Sequence, residues 1–284
     1  MSAGRWRHSQ RHARCARRAD QGVRPYTRCV RPTQDCVAPD AFVRGGARVL
    51  LLITDTSGRN GIVAVARALQ AGKQDQIQIL ESVPLAGGTF SAQLVPQIAA
   101  LLEKHGLSKS QIDAFVVVSG PGSFTGLRVG LAAIKALAEI LQKPIVPVSF
   151  LEVVARAAGI DGRIIALLDA GRGQLYSGEY EISGARAQLI QEHLIAREAL
   201  PDLSRAVAIS TPDATLAGLS REAGLRTFEL KAIPPEMIAV LGWSKLCDGE
   251  IASPEQLDAN YVRCSDQIFG TPSSATPQPS TSKP

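Results

Sequence analysis

Histidine is scarce in this chain of 284 residues, and its placement excludes much chemistry. His8 and His12 fall in the first segment, which leaves His105 and His193 far apart in the rest. A serine nucleophile needs a base within hydrogen-bond reach, so Ser57 and Ser123 have no evident partner for hydrolysis. Cysteine is also uninformative as chemistry. Cys15, Cys29 and Cys36 crowd into the first segment at no common zinc spacing, and Cys247 and Cys264 form no evident pair. This usage fits a reducing, cytoplasmic setting rather than a disulfide scaffold. No run of about 18 apolar residues occurs, so no spanning helix is expected.

Net charge is also small where it matters. Residues 1–46 hold ten Arg, no Lys and only Asp20, Asp35 and Asp40 as acids, a balance of +7. The remainder has 21 basic and 23 acidic residues, so the overall +5 belongs to the leader. The body gives no support for a broad basic nucleic-acid face. The leader lacks the apolar centre of a secretory signal. Its expected origin is upstream sequence read from a mis-assigned start, with Val49 as the natural beginning; a basic arm for RNA is the rival reading. The organisation expected is a disordered leader over 1–48, one half over 49–150, a second over 151–269, and a Pro/Ser/Thr-rich disordered tail over 270–284.

What is present centres on residues 115–147. Phe115-Val116-Val117-Val118 reads as a buried strand, followed by the loop Ser119-Gly120-Pro121-Gly122-Ser123-Phe124-Thr125-Gly126. Ser123 or Thr125 is the expected N-cap of a helix with an apolar stripe of Leu127, Leu131, Ile134, Leu137 and Ile140. A second face, Gly126, Gly130, Ala133, Ala136 and Ala138, is small enough for another backbone to approach. The loop and helix start also offer free N–H groups to an anion. Upstream, strands are expected at 49–54, 62–66 and 76–83, then a helix with Leu94, Val95, Ile98, Leu101 and Leu102 on one face, then a strand over 111–118. Downstream, strands are expected at 145–148, 163–168, 174–180, 187–195, 206–210 and 226–230, with helices at 214–223 and 235–248. A strand ending in Asp and a Gly-containing turn occurs twice, at Asp55 and Asp169, which suggests two related halves.

Four segments together carry a resemblance: Asp55-Thr56-Ser57, the run from Ser119 to Arg128, Asp169-Ala170-Gly171-Arg172-Gly173-Gln174-Leu175-Tyr176, and Tyr261-Val262-Arg263. The chain resembles the TsaB (YeaZ) family over about Val49 to Arg263. The resemblance implies an α/β fold of the actin-like, sugar-kinase-like superfamily, with two ribonuclease-H-like halves of mixed sheet flanked by helices. It implies a cytoplasmic, non-catalytic partner of the transferase TsaD in making threonylcarbamoyladenosine next to the tRNA anticodon. A TsaE-like ATPase, tRNA bound through the complex, and a homodimer of the free protein come with it, and no membrane does. No cofactor of its own is expected, with ATP and metal on partner subunits.

The partner surface implied is Leu94, Val95 and Ile98 of the first helix with Gly126, Leu127, Val129, Gly130, Ala133, Ile134 and Leu137 of the second. Asp55, Thr56, Ser57, Gly120, Gly122, Ser123, Thr125, Asp169 and Gly171 are candidate vestigial phosphate loops. Asp55 and Asp169 read two ways: as carboxylates holding magnesium against ATP, or as turn residues capping backbone N–H groups. The first makes the chain an ATP-dependent phosphotransferase. That rival lacks a late Gly-Gly turn, since the pairs here are Gly45-Gly46 and Gly87-Gly88. TsaD carries a His-x-x-x-His metal pair where this chain has Phe150 and Val154, and relatives often have a His before the first helix where Gly88-Thr89-Phe90-Ser91 has none.

Overall fold

A computed structural model of the chain describes residues 48–71, 74–203, 207–260 and 262. The expected leader and tail, with Tyr261, Arg263 and Cys264, lie outside the described residues. The first half is a sheet of β1 (Arg48–Asp55), β2 (Gly61–Ala71), β3 (Gln74–Leu85), β4 (Ala114–Gly120) and β5 (Ile145–Ser149), ordered β3-β2-β1-β4-β5. β1 runs antiparallel to β2 and parallel to β4. Its near-continuous apolar sequence follows from that central place, since a strand covered on both faces has no solvent side to keep polar.

Alternation then sorts the residues by face. Leu50 and Leu52 join Phe115 and Val117 under α1 (Phe90–Lys104) and α2 (Phe124–Leu141). Val49, Leu51 and Ile53 join Val116 and Val118 on the opposite face, against Ile238, Leu241 and Trp243 of α5 (Pro235–Cys247).

The second sheet contains β6 (Gly162–Gly171), β7 (Gln174–Ser183), β8 (Arg186–Ala196), β9 (Ala208–Thr211) and β10 (Thr227–Glu229), ordered β10-β9-β6-β7-β8. Read from β8, this repeats the first sheet strand for strand: two antiparallel neighbours on one side of the central strand and two parallel ones on the other. The fold is therefore the α/β, actin-like arrangement of two ribonuclease-H-like sheets. α4 (Ala214–Glu222) covers one face of the second sheet, and α3 (Phe150–Ala157) covers the other through Leu151, Val154 and Ala155.

The helices after β5 and β10 thus cross over. α3 follows the first sheet but packs on the second, and α5 follows the second but packs on the first. The segment beyond α5 also returns to the first sheet, pairing Ala252 with Ile145, burying Leu257 and donating the Asn260 N–H to the Ser119 carbonyl at 2.7 Å. The division between sheets falls between Ser149 and Gly162, but the packing does not follow it.

Two expected elements need correction. Gln111 is not in a strand. Lys109–Gln111 form a 3-10 turn because the Gln111 side chain accepts from the Ser108 N–H at 2.7 Å, and β4 starts at Ala114. α3 is an element the expected pattern lacks, because eight residues are too few to repeat a helical period and one of its polar residues, Glu152, is itself buried.

α5 approaches β4 so closely that a Cβ on Gly242 would lie 2.4 Å from Val116 Cγ1. Gly242→Val is expected to overpack this contact and cost about 1–3 kcal/mol. Urea denaturation reads the loss; an unchanged midpoint would mean the helix has room to withdraw.

Candidate functional site

The turn after β1 is the nucleus of the site. Asp55 folds back on it: one carboxylate oxygen accepts from the Ser57 N–H at 2.8 Å and from the Ser57 hydroxyl at 2.6 Å. Burial pushes the Asp55 carboxyl up, while the two Ser57 hydrogen bonds pull it down. Four glycines from three segments then press on this turn. A Cβ on Gly61 would lie 2.5 Å from the Asp55 carbonyl oxygen, on Gly126 2.2 Å from that of Thr56, on Gly122 2.2 Å from that of Ser57, and on Gly87 1.8 Å from that of Arg59. Gly130, one turn along α2 from Gly126, would meet Thr56 Oγ1 at 2.1 Å. The Ser123 N–H also donates to the Ser57 carbonyl at 2.7 Å, and the Ser123 hydroxyl caps α2 by accepting from the Gly126 N–H at 3.3 Å.

Asp169 repeats the Asp55 arrangement in the second half. It accepts from the Gly171 N–H at 3.0 Å, two residues on as Ser57 is from Asp55, and it also pairs with Arg197 at 3.1 Å. Both aspartates thus cap their own turns. Among the described residues, no group of three His, Cys, Asp or Glu side chains is arranged to hold a metal.

The two turns face one cleft of about 940 Å³. Of the phosphate-loop candidates, Ser57, Gly122, Ser123, Thr125 and Asp169 line it. Asp55, Thr56, Gly120 and Gly171 are not in its wall. Gly120 serves the backbone instead, with φ at 115° before a cis bond to Pro121. Arg59, Asn60, Gly87, Ser91 and Tyr176 also line the cleft and were not singled out as site residues from the sequence. The Gly87-Gly88 pair and the tyrosine ending the second turn motif were the available signals. The walls offer hydroxyls, backbone, the Asn60 amide, the Arg59 guanidinium and the Asp169 carboxylate, the last engaged by the Gly171 N–H and Arg197.

The expected partner surface is largely interior. Leu94, Ile98 and Ile134 belong to the first core, because each faces the sheet beneath the helices, and Leu127 is buried as well. Gly126 and Gly130 are buried under the Asp55–Ser57 turn, so the backbone that approaches this small-residue face is the chain's own. Bulk at Gly130 would therefore disturb the fold itself. Val95 is exposed, and Val129, Ala133 and Leu137 are partly covered. Ile140, expected in the sheet-facing stripe, is 72% exposed because Ala138 takes the core position one turn beyond Ile134. Phe150 and Val154 lie in α3, Val154 fully buried and Phe150 packed between two cores. His105 pairs with Glu81 at 2.8 Å, and His193 is exposed on β8.

Residues 84–229 match the family model described as TsaD, tRNA N6-adenosine threonylcarbamoyltransferase. The chain is 34% identical over 132 residues to the tRNA threonylcarbamoyladenosine biosynthesis protein TsaB of Bacillus subtilis, covering 46% of this chain and 55% of that protein. It is 27% identical over 183 residues to the protein of the same name from Escherichia coli, covering 60% of this chain and 79% of the relative. The chain thus spans just over half the length of the Bacillus relative. Among solved structures it is similar to YeaZ from Pseudomonas aeruginosa, with a TM-score of 0.59 and 26% identity over 75% of this chain and 99% of the other.

Two measurements test the turn. Gly130→Ala is expected to cost about 1–3 kcal/mol through its clash with Thr56. In the double variant with Thr56→Ala much of that loss should return; strictly additive losses would separate the two sites. Asp55→Asn keeps an acceptor for the Ser57 N–H and should be tolerated, whereas Asp55→Ala should lose about 1–3 kcal/mol. Equal losses in thermal unfolding would remove the capping role.

Proposed function

The chain belongs to the TsaB (YeaZ) family, and from that premise we propose that it is a non-catalytic partner subunit supporting TsaD-dependent threonylcarbamoyl transfer to the tRNA adenosine next to the anticodon. The observation that carries this reading is the apolar packing of Phe150, partly buried, and Val154, fully buried, in α3. By the family resemblance, these are the positions where the catalytic relative has its metal-binding histidines. A phenylalanine and a valine offer no lone pair to a metal, so this chain would depend on a second subunit for that chemistry. The same contrast favours the TsaB branch over TsaD itself, although the matched family model carries the transferase description.

The partner would be a TsaD-like catalytic subunit, with a TsaE-like ATPase in the assembly and tRNA reached through the complex. ATP and metal would sit on those subunits, the assembly would be cytoplasmic, and the free chain would pair with a copy of itself. The accessible part of the α1–α2 surface, Val95 with Ala133 and Leu137, is where docking would occur. A phosphotransferase activity is disfavoured, since Asp55 and Asp169 are both engaged in capping their own turns.

Reconstitution tests the proposal. The purified chain alone should give no threonylcarbamoyl transfer, and adding a TsaD-like subunit should restore it. Val95→Glu should weaken that association while leaving thermal stability within about 0.5 kcal/mol, as for an exposed site. Transfer in proportion to this chain alone would overturn the subunit reading, and unchanged association in the variant would move the docking surface elsewhere.

A further inference from the structure

A second cavity, of about 620 Å³, opens where α3, α5, β5, β7, β8 and the segment after α5 meet. It contains two linked polar groups. Glu192 of β8 accepts from the Tyr180 hydroxyl of β7, from Ser149 Oγ at the end of β5 at 2.5 Å, and from Asn260 Nδ2 of the segment beyond α5 at 2.6 Å. Beside it, Glu152 of α3, only 5% exposed, lies 3.3 Å from Lys245 Nζ of α5. Lys245 is shared, because it also pairs with Glu250, beyond α5, at 2.7 Å. The cavity wall therefore holds three carboxylates, Glu152, Glu192 and Glu250, and one ammonium that pairs only with Glu152 and Glu250, while the Arg186–Asp248 pair at the rim, at 2.7 Å, adds no net charge.

This is also the joint between the halves, since α3 and α5 are the helices that cross over and Asn260 lies in the segment that returns beyond α5. An unbalanced buried carboxylate is costly, and a proton is the smallest charge that removes the cost. We propose that the joint is a proton-operated latch: Glu152 is protonated while α3, α5 and the returning segment before Asn260 are closed together, and release of that proton to water through the cavity loosens them.

The groups facing Glu152 set its direction. They are Lys245 of α5, Glu250 beyond it, Tyr180 of β7 and Glu192 of β8, with Arg156 one turn along α3 itself. β6 and β9 present Ile164, Ala166, Ala208 and the Ser210 hydroxyl to α3. His193 stands on the opposite face of β8 from Glu192. Burial raises the Glu152 carboxyl from 4.5 to about 7, against the opposing pull of Lys245. Burial would lower Lys245, but Glu152 and Glu250 leave it raised, so it remains charged. A carboxyl raised in the closed state stabilises closure fully below its open-state value of 4.5, and loses that contribution as pH rises towards about 7.

Amide hydrogen exchange of the full chain across this range, corrected for the intrinsic effect of pH, tests the latch. Opening of α3 and α5 should become easier by up to about tenfold per pH unit below pH 7 and level off above it. Glu152→Gln should flatten the profile. Glu250→Gln, at an exposed position, leaves Lys245 to Glu152 alone and should move the levelling to lower pH. A flat native profile, a slope retained in Glu152→Gln, or a Glu250→Gln profile identical to the native one would each overturn the proposal.

Discussion

The structure depends on how tightly the backbone of residues 55–59 is enclosed. Four carbonyl oxygens of this turn each meet a different glycine, drawn from three segments, at separations no Cβ could occupy. Interiors close-packed to this degree transmit the position of one element to the next. The turn therefore sets where β2 leaves, where α1 approaches, and where α2 starts. It also sets the wall of the main cleft, since Ser57, Gly87, Gly122 and Ser123 all line it. None of these glycines is needed for a left-handed backbone. They are needed because nothing larger fits.

The second half repeats the strand order and the capping aspartate without that enclosure. Gly171 and Gly173 stand in open space at positive φ, and Asp169 is held instead by Arg197. One copy of the motif is locked into the core and the other lies at the surface of the cleft. In the cleft wall itself Asp169 is engaged by its own turn and by Arg197, while Asp55 lies behind the wall, held by Ser57. The crossed helices supply a different kind of coupling. Because α3 and α5 each pack on the other half's sheet, the polar joint between them ties the halves together directly.

Much of the architecture was legible in the sequence. Strands β1 and β4 were plain because central strands buried on both faces are continuously apolar. The duplicated Asp turns announced two related halves, and the run from Ser119 to Arg128 pointed to the family. What the sequence could not separate was a surface that packs on a partner from one that packs on the chain itself. Gly126 and Gly130 at helical spacing promise only that some backbone comes close, and the tertiary structure identified it as that of Asp55–Ser57. Helix α3 was not legible for a different reason, since its eight residues make only about two turns and one of its polar residues, Glu152, is itself buried. The joint of Glu152, Glu192, Lys245 and Asn260 joins residues up to 108 positions apart, drawn together by two helices that cross between sheets. Local pattern determined which residues were strand, turn and helix; which charges came to share one cavity was decided by the crossing, a long-range fact that no window of sequence contains.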